Sequence, residues 1–150
     1  MHLHGENIKQ RIWDIIHGKN VLQMKVLKND KDIVIVAVKN NSGALQYAST
    51  DLQNDKEIVI EAVNHNGRVL QYASDELKHD KDIVIAAVKN NGEALKYAST
   101  NLQNDKEIVI AAVKNNSEAV QFAYIFYDIS GELKYDKDVF MEVLRNRNFS

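Results

Sequence analysis

Asp55-Lys56-Glu57-Ile58-Val59-Ile60-Glu61-Ala62-Val63 is the phrase on which the fold of this chain turns. It recurs with small changes. Copies open at Asp30, Asp55, Asp80 and Asp105, 25 residues apart, and a fifth opens at Asp136 after a gap of 31. The β-branched run at its centre would suit a strand. Two features favour a helix instead. Ile33 and Ala37, like Val34 and Val38, stand four apart and share one stripe. The run then continues into Ala-Val-Lys-Asn-Asn, with Lys near the negative helix terminus and Asn tolerant of a left-handed cap. The leading Asp is an N-cap, and the acidic residue two positions on suits the positive terminus. Asn54 or Asn104 is an alternative cap one residue earlier, with Glu57 or Glu107 completing a capping box.

A second apolar segment comes next in each copy. It reads Ala44-Leu45-Gln46-Tyr47-Ala48, Val69-Leu70-Gln71-Tyr72-Ala73, Ala94-Leu95-Lys96-Tyr97-Ala98 and Ala119-Val120-Gln121-Phe122-Ala123. The spacing predicts a short helix of two turns, entered by a turn that Gly67 and Gly92 mark, with Ser42 and Ser117 in the other copies. Leu52, Leu77 and Leu102 come after it as apolar anchors. Helices this short are marginal alone, so the units must stack to be stable.

The chain therefore reads as all-α: an α-solenoid of stacked helical hairpins with 25-residue repeats and terminal capping helices, a single domain over 1–150. Residues 1–29 form a degenerate N-terminal unit, with Trp13 and Ile8, Ile12, Ile15 and Ile16 at helical spacing. Residues 30–129 hold four repeats. The second helix of the fourth is expected to extend through the insertion at 124–131. Residues 130–150 form the C-terminal capping helix, in which Val139, Phe140, Val143 and Leu144 close the array.

Composition narrows the function classes. Hydrophobic residues are 45% of 150, enough for a real core. A formal net charge of −2 lacks the basic excess that a nucleic-acid binder needs. Cysteine is absent, which excludes disulfides, thiolate metal sites and a cysteine nucleophile. No stretch approaches the ~20 apolar residues of a membrane helix. The start, Met1-His2-Leu3-His4-Gly5-Glu6, has no secretory signal pattern, so a cytoplasmic location is the default.

Stacking places equivalent residues in rows. One row is acidic, Asp30, Asp55, Asp80, Asp105 and Asp136; beside it run Lys31, Lys56, Lys81, Lys106 and Lys137. A third is Asn40, His65, Asn90, Asn115 and Asn146, and a fourth Met24, Tyr47, Tyr72, Tyr97 and Phe122. The Asp row could hold metal, but the same group repeated at a fixed offset is better explained as caps, since catalysis needs unlike groups converging on one point. The Lys row could bind phosphate; neutralising the Asp row is the simpler role. The tyrosines serve packing first, and Phe122 shows that the hydroxyl is dispensable. His2 and His4 lie in a terminal tail, and His65 reads as a solvated helix-end residue. Asp128, Ser130 and Glu132 read as turn-formers. No phosphate loop, nucleophile elbow or dinucleotide fingerprint is present. The expectation is no enzyme, no catalytic residue, no cofactor and no metal.

The phrase Asp-Lys-Glu-Ile-Val-x-Ala-Ala-Val-Lys-x-Asn-Gly-x-Ala-Leu-x-Tyr-Ala-Ser resembles a family of short tandem helical repeats catalogued as a domain of unknown function. Residues 30–123 match it closely, and 136–144 match its first half. The resemblance implies a helical array without catalytic residues. It also implies a setting in long proteins of amoeba-associated bacteria, translocated effectors among them, and of protists and large viruses. Delivery into a host cell without a classical signal peptide is thus a second expected location.

Positions that vary between copies are where recognition can be written, because the fold does not constrain them. The candidate partner-binding surface is Glu61, Arg68, Gln71, Glu93, Lys96, Glu118 and Gln121. The expected partner is a protein, not nucleic acid or membrane. The chief alternative is a structural or self-assembling protein that stacks end to end.

Overall fold

A computed structural model describes residues 9–10, 28–123 and 136–147. Every element among them is helical. Each repeat opens with a ten-residue α-helix: Lys31–Asn40 (α1), Lys56–His65 (α3), Lys81–Asn90 (α4) and Lys106–Asn115 (α6). The N-cap is the Asp of the phrase in all four, its carboxylate accepting from the amide three residues on. The alternative caps Asn54 and Asn104 instead close the short helices before them.

Each long helix leads into a six-residue 3₁₀ helix: Ser42–Tyr47 (η1), Gly67–Tyr72 (η2), Gly92–Tyr97 (η4) and Ser117–Phe122 (η5). The sequence spacing predicts two α-turns here. The tighter winding comes from the residue at the junction. Asn41, Asn66, Asn91 and Asn116 are extended, with φ between −147° and −151°, rather than left-handed. Each ends one helix and starts the next, because its Oδ1 accepts from the amide two residues on. A third, single-turn piece completes three of the repeats: Thr50–Gln53 (α2), Leu77–His79 (η3) and Thr100–Gln103 (α5). Ser49, Ser74 and Ser99 accept from the amides of Leu52, Leu77 and Leu102 at its start. Leu77 is buried, and Leu52 and Leu102 are half-buried against the core.

The repeats stack in sequence, α on α and 3₁₀ on 3₁₀. Between the two rows lies one continuous core. Ile58, Val59, Ala62, Val63 and Leu70 are fully buried, as are their counterparts Ile83, Val84, Ala87, Val88 and Leu95. The last helix, Lys137–Arg147 (α7), packs on α6 and η5. It covers the last repeat with only part of its apolar face. Val139 is buried and Val143 packs on the core, but Phe140 and Leu144 remain 41% and 39% exposed. They occupy the positions of Val109 and Val113, which are fully buried one layer earlier. Most of the N-terminal unit, with His2, His4, Trp13 and Met24, lies outside the described residues, as does the insertion with Asp128, Ser130 and Glu132.

Candidate functional site

The repeated side chains are committed to holding layer on layer. Lys31 Nζ lies 2.9 Å from Asp55 and 2.8 Å from Glu57 of the next unit. Lys56 reaches Asp80 at 2.8 Å and Asp82 at 3.2 Å. Lys81 reaches Asp105 and Glu107, and Lys106 reaches Asp136 and Asp138. The Lys and Asp rows neutralise each other, and an ammonium takes the place a cation would need between the paired carboxylates.

These contacts shift the titration of both partners. Lys31 is held well above its ordinary range by hydrogen bonds to Glu57 and then Asp55. Lys56 and Lys81 are raised likewise, through Asp80 then Asp82, and through Glu107 then Asp105. For Asp55, Asp80 and Asp105, partial burial opposes the charge. The hydrogen bonds from Lys31, Lys56 and Lys81, with those from first-turn amides, outweigh it and lower each carboxyl below 3.8. A lowered carboxyl contributes stability above its unfolded pKa and loses it as pH falls through the folded value. The acid arm of a stability profile therefore lies below about pH 4. Raised lysines contribute below their ordinary 10.5 and lose it as pH rises beyond. Thermal unfolding measured from pH 7 to pH 2 should show a fall below about pH 4. The fall should be shallower in a Lys56→Gln, Lys81→Gln double variant; an unchanged slope would remove the lysines from the account.

The third row is a second set of staples. Asn90 Oδ1 accepts from the Gly67 amide at 2.7 Å, and its Nδ2 donates to the Asn64 carbonyl at 3.0 Å. Asn115 repeats this with the Gly92 amide at 2.7 Å and the Lys89 carbonyl at 3.0 Å. Asn146 donates to the Val113 carbonyl. His65 cannot do both jobs in the same geometry; it contacts Glu61 at 3.0 Å and is exposed. Gly67 and Gly92 thus mark more than a turn. At both, the backbone of the next layer comes too close to admit a Cβ.

A buried amide has no counterpart in the sequence reading. Gln103 Nε2 donates to the carbonyls of Leu95, Lys96 and Ala98, closing the end of η4. Gln53 does the same for Leu45 and Gln46. The signal for it is the recurrence of Leu-Gln-Asn-Asp at 52–55 and 102–105.

Of the seven candidate partner-binding residues, six sit on the 3₁₀ row. Arg68 and Glu93 pair across one layer at 3.1 Å. Gln71 donates to the carbonyl of its neighbour Arg68, and Lys96 Nζ stands 5.0 Å from the Tyr97 ring centroid and 5.7 Å from that of Phe122. Glu118 and Gln121 are exposed. The seventh, Glu61, belongs to the α row, where it faces His65. Tyr72, Tyr97 and Phe122 are half-buried against the core, and Tyr47 is 37% exposed.

A groove opens on the α row, with a volume of about 820 Å³. Ile110 and Ala111 line it, and Lys89 and Lys114 stand at one end. Among the described residues, no helix is long and apolar enough to cross a membrane.

The architecture and its sequence signature agree with one family model, described as Domain of unknown function (DUF4116), which matches residues 25–53, 55–102 and 80–124. The chain belongs to this family. No curated protein and no solved structure matches the chain. Membership accords with the tandem helical repeats seen here and, as its description says, carries no function with it.

Proposed function

We propose that this DUF4116 chain is a non-enzymatic protein-interaction module that acts in the cytoplasm or in a host cell. One observation carries the reading. Side chains that recur in the repeats are used up by caps and inter-layer clamps, whereas six of the seven candidate residues that differ form continuous rows on the 3₁₀ face. Residues three apart in a 3₁₀ helix eclipse one another. Arg68 with Gln71, Glu93 with Lys96 and Glu118 with Gln121 therefore make adjoining two-residue steps along the stack. Such a surface differs step by step while its scaffold stays constant, which suits recognition of an extended protein surface.

Affinity capture with the purified chain, and then titration of the captured protein, tests this. Wild type should bind with micromolar or tighter Kd. Joint replacement of Glu61, Arg68, Gln71, Glu93, Lys96, Glu118 and Gln121 by alanine should abolish binding with helicity unchanged. Recovery of nothing above a control column refutes the reading.

End-to-end self-assembly is the second reading, and the last layer favours it. Leu144 is 39% exposed where its counterparts are buried, and Lys137 has no carboxylate clamp among the described residues. Light scattering separates the two readings: a concentration-independent 17.1 kDa species rejects assembly.

A further inference from the structure

We infer that the groove on the α row is a docking site for a short extended peptide segment in which a run of apolar residues adjoins a run of acidic ones. The inference rests on the protein-interaction reading and names the chemistry of one partner segment.

Comparison of equivalent positions shows why the groove sits where it does. The position that forms its floor is Val36, Glu61, Ala86 and Ala111 in successive repeats. The first two carry bulk or charge; the last two leave only a methyl group. The position at its basic end is Lys39, Asn64, Lys89 and Lys114. Small floor and paired cations therefore coincide only in the last two of these layers. Ile110, half-buried beside Ala111 in the same turn, supplies the apolar wall.

The charges within reach are not equivalent. Lys106 is held by Asp136 and Asp138, and Glu107 shares Lys81 with Asp105. Lys89 and Lys114 are exposed, and no ion pair joins either to a carboxylate among the described residues. They also lie in the last turns of α4 and α6, where the helix terminus favours a cation and leaves its outer hemisphere open. Two lysines without a carboxylate partner among the described residues stand at that end, so the complementary group is a carboxylate. From Lys106 to Lys114 the groove runs along about 12 Å of helix. That length takes about four residues of extended chain. Apolar side chains would cover Ile110 and Ala111, with acidic ones over the lysines.

The probe is a fluorescein-labelled hexapeptide, Leu-Val-Leu-Glu-Asp-Glu, amidated at its C-terminus and titrated into the whole chain by anisotropy. Every test substitution borrows a residue the array already carries at the equivalent place, so the fold tolerates it. Lys89→Asn with Lys114→Asn, copying Asn64, should weaken binding about tenfold and flatten its salt dependence. Ala111→Glu, copying Glu61, should weaken it at least tenfold by filling the floor and opposing the carboxylates. A peptide with Gln and Asn in place of its acids should bind at least tenfold less well.

Binding that survives all three substitutions, or no saturation below about 1 mM, overturns the site. Equal binding of a hexapeptide of glutamate alone overturns the apolar part and leaves mere charge attraction. If a captured partner loses affinity through the seven-residue variant but not through these, the interaction reading stands and this groove is not its site.

Discussion

Gly67→Ala and Gly92→Ala should each destabilise the array by about 3 kcal/mol or more. Neither glycine has a left-handed φ, so torsional strain is not the cause. A Cβ at Gly67 would stand 2.1 Å from the Ala87 carbonyl oxygen and 3.0 Å from its carbon. At Gly92 it would stand 2.4 Å from the Ala112 oxygen. Both obstacles are backbone carbonyls in the last turn of a packed helix, held by the Asn91 and Asn116 amides, and cannot swing aside as a side chain does. Relief requires the layers to part, and parting breaks the Asn90 or Asn115 staple in the same place. Gly43→Ala is the internal control. Its nearest neighbour is the Asn41 Oδ1 at 3.1 Å, a side-chain atom, so its effect should stay within about 1 kcal/mol. Urea denaturation of the three variants measures the difference. A change at Gly67 no larger than that at Gly43 would mean that the layers have room to spare.

The same residues show how far the sequence could be read. Caps and clamps are legible because each depends on a local pattern repeated at a fixed offset. Asp55 announces a helix start through the acidic and apolar residues just after it, and a Lys row beside an Asp row announces neutralisation. Contacts that depend on the distance between layers are not legible in this way. Asn90 looks in sequence like one more polar helix end, and only its 23-residue reach to Gly67 gives it a purpose. The 3₁₀ segments read as α because Ala44, Leu45, Tyr47 and Ala48 fit a period of 3.0 as well as one of 3.6. What decides is the pair of bonds from Ala44 to the Asn41 carbonyl and from Ala48 to the Leu45 carbonyl. Variation between copies locates the candidate surface and finds six residues on one face. Variation alone does not show that Arg68 and Glu93 spend their charges on each other, nor that a groove opens where Ala111 replaces Glu61.

Leu95→Ala should cost about 2–5 kcal/mol, and the way the chain then unfolds is more informative than the size of the loss. Leu95 is fully buried in η4, which touches α4, α6, η2 and η5. Its side chain thus belongs to an inner layer and to the contacts on both sides of it. In a linear array, stability is a sum of unit terms and nearest-neighbour terms, with no long-range contact to bridge a weak unit. A cavity at Leu95 weakens the seams toward η2 and η5 together and divides the stack. Hydrogen exchange should accelerate in α4 and α6 at once, and urea unfolding should lose its single transition. Leu45→Ala removes the same side chain from η1, which touches α1, α3 and η2. Faster exchange there should stay within α1, η1 and α3, leaving α6 protected. If Leu95→Ala still unfolds in one step, with protection lost evenly from α1 to α6, cooperativity extends beyond neighbouring layers. The lysine clamps would then be the first place to look for it, since Lys31, Lys56, Lys81 and Lys106 tie consecutive helices from α1 to α7 without a gap.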